Sequence, residues 1–159
     1  MHDHKIPRAE ETAHEQTQCE TNPPRRVLVV DDDGFMRHLN AETLIRSGCQ
    51  VDTAENGANA WDMLQLKSYD LLITDNDMPK VSGVELLKRL NAANMTLPVV
   101  MATGTLPKEE FAQNPRLRPA AMLLKPFTGD ELSGAVEKVL RLTNSARQQL
   151  CPILRLNLT

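Results

Sequence analysis

The sequence predicts an α/β fold in which a strand and a helix alternate five times around one parallel sheet. Three observations carry this. Five short apolar runs, Val27–Val30, Val51–Ala54, Leu71–Thr74, Val99–Ala102 and Ala121–Leu124, are near-continuous and several are β-branched, as strands buried on both faces require. The stretches between them have helical character, and repeated βα units imply parallel strands, right-handed crossovers and helices on both faces. The chain has 159 residues, enough for one domain with one core and no second sizeable one.

Taken in order, the body begins at Arg25, just before the first strand. The first helix spans about Phe35 to Ser47. Asn40 and Thr43 interrupt its apolar stripe, and Gly48 supplies a plausible stop. Glu55-Asn56-Gly57 after the second strand reads as an ordinary turn. Ser82-x-x-Glu85 and Thr128-x-x-Glu131 are capping boxes, each followed by an apolar pattern. Val84, Leu87 and Leu90 stripe the third helix. Pro107, Pro115 and Pro119 confine the fourth to roughly Lys108–Gln113. Leu132, Val136, Val139 and Leu140 keep a 3.6-residue spacing in the fifth.

The ends differ from the body. Residues 1–24 read as a disordered polar tail, because Asp3, Glu10, Glu11, Glu15 and Glu20 dominate and little apolar surface offsets the entropy of ordering. His2, His4 and His14 sit there without clustered partner ligands, so a metal site is not expected from them. Residues 25–144 form the predicted domain. Residues 145–159 form a C-terminal extension that either stands apart or continues the last helix. No apolar run is long enough to span a membrane, and the polar stretch Met1–Thr12 is no secretory signal. Cys19, Cys49 and Cys151 are odd in number and form no CxxC, which fits a reducing cytoplasm. The net charge of −3 argues against direct nucleic-acid binding.

In an open parallel sheet, ligands bind beyond the carboxyl ends of the strands. The first strand runs into Asp31-Asp32-Asp33 and the third into Asp75-Asn76-Asp77-Met78-Pro79. The fourth runs into Thr103-Gly104-Thr105 and the fifth into Lys125-Pro126-Phe127. Each has an ordinary explanation by itself: Asp33 caps a helix, Asp75 and Asp77 make a turn, Lys125 is a solvated lysine, and Thr103 is a strand-end hydroxyl. Together they suggest more. Carboxylates crowded at one edge do not all ionise cheaply, and a hard cation such as Mg²⁺ resolves the conflict. A hydroxyl and an ammonium alongside supply what phosphate oxygens need. No cysteine or serine lies in a nucleophile motif, so a carboxylate is the expected phosphate carrier.

VLVVDDD, LLITDNDMPKVSG, VVMATG and MLLKPF, in that order and spacing, resemble the receiver domain of two-component response regulators. The resemblance covers about Arg26–Leu142. It implies a flavodoxin-like (βα)5 three-layer sandwich, its five-stranded parallel sheet ordered 2-1-3-4-5. It implies that Asp75 accepts the phosphoryl group. Asp32 and Asp75, with the backbone carbonyl of Asp77, would bind Mg²⁺, and Asp31 would act mainly through bound water. Thr103 would hydrogen-bond the phosphoryl group, and Lys125 would pair with one of its oxygens. Lys125–Pro126 would be a cis peptide.

The implied partners are a sensor histidine kinase or histidine phosphotransfer protein and a downstream effector. No direct nucleic-acid contact and no membrane insertion are implied. No output module fits after residue 144, so a stand-alone, cytoplasmic receiver acting by docking or phosphorelay is expected. It would be no enzyme beyond its own phosphorylation and dephosphorylation. Three features depart from the family pattern, the first being the short, Pro-bounded fourth helix, which changes the usual output face. Met122 stands where many receivers carry a Tyr or Phe, and Asp77 adds a second acid beside Asp75. The alternatives are a docking module that has lost phosphorylation, or a haloacid-dehalogenase-like phosphatase reading Asp75-Asn76-Asp77 as its DxD. The latter family carries DxD on its first strand, whereas here the Asp31-Asp32 pair comes first. No GxxxxGK[ST] or GxGxxG favours a nucleotide-binding enzyme.

Overall fold

The computed structural model describes residues 23–150, with side chains to residue 147. His2, His4, His14, Cys19 and the remainder of the acidic leader to residue 22, together with Cys151 and the rest of the stretch after 150, lie outside the described residues. The elements alternate as β1 (Arg26–Val30), α1 (Gly34–Arg46), β2 (Gln50–Ala54), α2 (Gly57–Leu66), β3 (Leu71–Thr74), α3 (Gly83–Ala92), β4 (Val99–Thr103), α4 (Lys108–Gln113), β5 (Ala121–Leu124) and α5 (Gly129–Leu150). All four strand pairings are parallel and the sheet order is β2-β1-β3-β4-β5.

The side-chain alternation of the strands divides the core into two layers. Val27 and Val29 of β1, Leu71 and Ile73 of β3, and Val100 and Ala102 of β4 face α1 and α5, where Leu44, Leu132, Val136 and Val139 meet them. Leu28, Val30, Leu72 and Met101 face the other way, toward Leu64 of α2 and Val84, Leu86, Leu87 and Leu90 of α3. The central strands are therefore near-continuously apolar because both faces are covered, with only Thr74 and Thr103 as buried polar residues at the carboxyl ends of β3 and β4. Each fully buried leucine contributes about 2 kcal/mol relative to exposure.

Local signals set the helix ends. Asp33 caps α1, its side chain accepting from the Phe35 and Met36 amides. Ser82 caps α3 by accepting from the Glu85 amide. The α5 box is reciprocal: the Glu131 amide donates to Thr128 Oγ1 and the Thr128 amide to Glu131 Oε2. The α5 helix runs through Asn144 to Leu150.

Three local expectations need correction. Asn56 is no plain turn residue: its side chain accepts from the Asn59 amide at 2.9 Å and starts α2. In α1, Asn40 is buried beside Ala41 and Leu44, while Phe35, Leu39 and Ile45 are exposed. The buried face of α1 is thus set by its contact with β2 and α5, and the apolar stripe does not mark it. At the sheet edge, β5 is covered on one face only. Met122 and Leu124 are 37% and 54% exposed, because the six-residue α4 buries no residue of its own.

Replacing Thr128 by Ala removes the acceptor for the Glu131 amide. It should lower stability by about 1 kcal/mol in urea titration.

Candidate functional site

The carboxyl ends of β1, β3, β4 and β5 converge on one point. The sheet order reverses between β1 and β3: the chain leaves β1 to one side for β2 and then crosses to the other for β3. The loops after these two strands diverge and leave a crevice. Asp31 and Asp75 stand at its two sides. The ladder continues into the site, with the Asp31 amide donating to Ala54 O and the Asp75 amide to Val30 O.

Asp31 is 3% exposed and Asp75 7%, whereas Asp32 faces solvent. One carboxylate oxygen from each of Asp31, Asp32 and Asp75 lies within 4.8 Å of the others. Lys125 reaches in from beyond β5, and its Nζ donates to Asp31 Oδ2 and Asp75 Oδ2, both at 3.0 Å. The Lys125 amide donates to Thr103 O, which aims the side chain back across β4, and the Lys125–Pro126 peptide is cis. Asp77 lies just outside, its amide donating to Asp75 Oδ1 at 3.2 Å. Thr103 is fully buried, and its hydroxyl lies 3.2 Å from Thr105 O and 3.5 Å from Asp77 Oδ2.

The electrostatics follow from burial. Desolvation pushes the Asp31 carboxyl above the ordinary carboxylate value and the Asp75 charge adds to this, while the Asp33 amide and Lys125 oppose it. Desolvation works against the Lys125 ammonium too, but Asp75 and Asp31 outweigh it and hold the group above its ordinary value. Lys125 is thus a fixed cation, and one positive charge faces three carboxylates. Only hard oxygen donors surround the remaining negative potential. Such a set suits a small divalent cation that keeps part of its water.

The residues expected from the sequence, Asp31, Asp32, Asp75, Asp77, Thr103 and Lys125, are all brought together here. Others escaped sequence reasoning. Gly83 starts α3 directly behind the phosphoacceptor candidate: a Cβ there would lie 2.4 Å from the carbonyl oxygen of Asp75. Gly57 packs as closely on Val81 O of the same loop. Asn76 pins the loop to α3, with Oδ1 accepting from the Val84 amide and its carbonyl accepting from the Gly83 amide. Arg37 Nη1 donates to Asp31 O at 2.8 Å. A glycine directly after the Ser82 cap was the one available hint of close helix approach.

Two outcomes follow. Gly83→Ala should cost about 2 kcal/mol of stability from overpacking against backbone, with amide NMR shifts concentrated at Asp75–Asp77. For Asp31, a raised carboxyl value in the native state means that ionisation opposes folding. The penalty is absent below the unfolded-state value and complete above the native one. In EDTA, Asp31→Asn should therefore be near neutral in acid and gain stability relative to wild type as the pH rises to neutral, measured by denaturant titration at each pH.

Comparison with known proteins agrees with this geometry. The model of the response regulator receiver domain matches residues 27–137. The response regulator receiver protein CpdR of Brucella abortus is 33% identical over 116 residues, spanning 73% of this chain and 97% of its own. A chemotaxis protein CheY homolog of Campylobacter jejuni is 36% identical over 119 residues, spanning 72% and 92%. Among solved structures, the chemotaxis response regulator CheY4 of Vibrio cholerae superposes with a TM-score of 0.67 at 28% identity, covering 73% of this chain and 98% of its own. Among the described residues no helix is long and apolar enough to cross a membrane. The chain belongs to the response regulator receiver domain family, a signalling module of two-component systems and not a conventional enzyme.

Proposed function

We propose that this chain is a single-domain receiver in a phosphorelay, with residues 25–144 as the receiver body and Asp75 as the phosphoacceptor. The observation that carries this reading is the position of Lys125 Nζ, 3.0 Å from both Asp31 and Asp75 at the sheet's switch point. An ammonium so placed stands where it offsets the charge that a phosphoryl group brings to Asp75.

The donor is a phosphohistidine on a sensor histidine kinase or a histidine phosphotransfer protein. An Asp75 carboxylate oxygen attacks phosphorus in line. The new O–P bond forms as the P–N bond breaks, and the imidazole leaves with the electron pair. Lys125 offsets charge on the equatorial oxygens, and the Thr103 hydroxyl donates to one of them. Water later cleaves the acyl phosphate to restore Asp75 and release inorganic phosphate.

Asp32 and Asp75, with the Asp77 carbonyl, would hold Mg²⁺, and Asp31 would contact it through water. The close approach of the three carboxylates fits such an ion. When bound, it supplies positive charge that neither Lys125 nor Thr103 provides on that side of the phosphoryl group. The phosphorylated surface would then be read by a downstream effector protein, with no nucleic-acid contact and no membrane insertion.

The test is intact mass after incubation with acetyl phosphate and Mg²⁺. Wild type should gain one phosphoryl group, and Asp75→Asn or removal of Mg²⁺ should abolish the gain. No gain from acetyl phosphate or from any phosphohistidine donor, with Mg²⁺ bound, would overturn the reading in favour of a silent docking module.

A further inference from the structure

We propose that the Asp77 side chain is a lock on Thr103: it holds the hydroxyl away from Asp75 until a phosphoryl group arrives. The proposal rests on the phosphoacceptor reading of Asp75 and concerns how that same site is held in its resting state.

Three contacts carry it. The Asp77 amide donates to Asp75 Oδ1 at 3.2 Å, so the position of Asp77 is tied to the acceptor carboxylate. The Asp77 carboxylate in turn stands 3.5 Å from Thr103 Oγ1. Thr103 is fully buried, and its only other acceptor among the described residues is Thr105 O at 3.2 Å, while the Thr105 amide approaches the same hydroxyl oxygen at 3.4 Å. A threonine hydroxyl has one proton and serves one acceptor at a time. Neither acceptor belongs to Asp75, so Thr103 donates to a phosphoryl oxygen there only by giving them up.

Asp77 is thus the residue that touches both the acceptor and the hydroxyl. It is exposed, and its carboxylate is free to swing toward solvent. A phosphoryl dianion arriving on Asp75 adds like charge beside that carboxylate and drives it outward. The hydroxyl then loses its charged acceptor just as a stronger one appears on Asp75. Asp77 so acts as a positioning residue through Thr103, and release of the lock is coupled to phosphorylation by repulsion. Exposure of Asp77 also means that its substitution leaves the core packing untouched.

The full chain provides the test in two parts. First, methyl NMR on threonine-labelled, unphosphorylated protein reads the Thr103 rotamer. Wild type and Asp77→Asn, which keeps a side-chain oxygen acceptor, should show one rotamer, whereas Asp77→Ala should show averaging between two. Second, acetyl phosphate labelling rates are compared for wild type, Asp77→Ala, Thr103→Val and the double variant. The acceleration caused by Asp77→Ala should be about threefold larger with Thr103 present than in the Thr103→Val background, the size expected for loss of one long charged hydrogen bond. An unchanged rotamer in Asp77→Ala, or equal acceleration in both backgrounds, would overturn the lock and leave Asp77 acting through charge alone. If no variant labels from acetyl phosphate or from a phosphohistidine donor, the phosphoacceptor reading fails, and the rotamer measurement still decides whether Asp77 holds Thr103.

Discussion

The Lys125 ammonium bridging Asp31 and Asp75 is the contact on which the site depends. Two carboxylates that are almost wholly buried repel each other across adjacent strand ends, and desolvation pushes the Asp31 carboxyl up. One cation bonded to both oxygens at 3.0 Å offsets that repulsion. The arrangement makes demands on the whole sheet. Lys125 follows β5, which lies two strands from β3, or about 10 Å across the ladder. Only a long side chain directed back over β4 spans that gap. The Lys125 amide bonded to Thr103 O and the cis Lys125–Pro126 peptide accompany that direction.

The same demand explains why the site tolerates little adjustment from behind. The β3–α3 loop carries Asp75 and Asp77, and it is pressed between the starts of two helices. Gly57 and Gly83 allow backbone-to-backbone approach where any side chain would collide with Val81 O or Asp75 O. Asn76 then ties the loop to α3 through two hydrogen bonds. The rear of the site is rigid because helix N-termini close on it, and the front is open because Asp32 and Asp77 face solvent. Chemistry at Asp75 is therefore approached from one side, and charge that arrives there meets movable acidic side chains in front of a fixed lysine.

Away from the site the two layers are unequal. Leu44, Leu132, Val136 and Val139 seal the α1–α5 layer, whereas the opposite layer thins toward β5, where α4 is short. Met122 and Leu124 remain half-open there as a result. Met122 lies beside Met101 in the ladder, one residue from the pair formed by Ala102 and Leu123. A flexible thioether at that place gives the surface next to Thr103 an apolar group that repacks easily.

Much of this protein was determined by the sequence alone. Near-continuous apolar runs of four or five residues settle where the strands are, because a strand covered on both faces needs an apolar side chain at every position. Ser82, Thr128 and Asp33 settle three helix starts, because a cap is a contact between residues three apart or fewer. The strand-end residues Asp31, Asp75, Thr103 and Lys125 were legible because parallel strands deliver all their carboxyl ends to one edge, whatever their order. The tertiary structure decided what depends on neighbours remote in the chain. It chose which face of α1 is buried, since Asn40 goes inward and Phe35 outward only when β2 and α5 are in place. It also made Gly57 and Gly83 indispensable, gave Lys125 two carboxylates to bridge, and set Asp77 against Thr103, 26 residues away. These are distances between elements, and local pattern carries no measure of them.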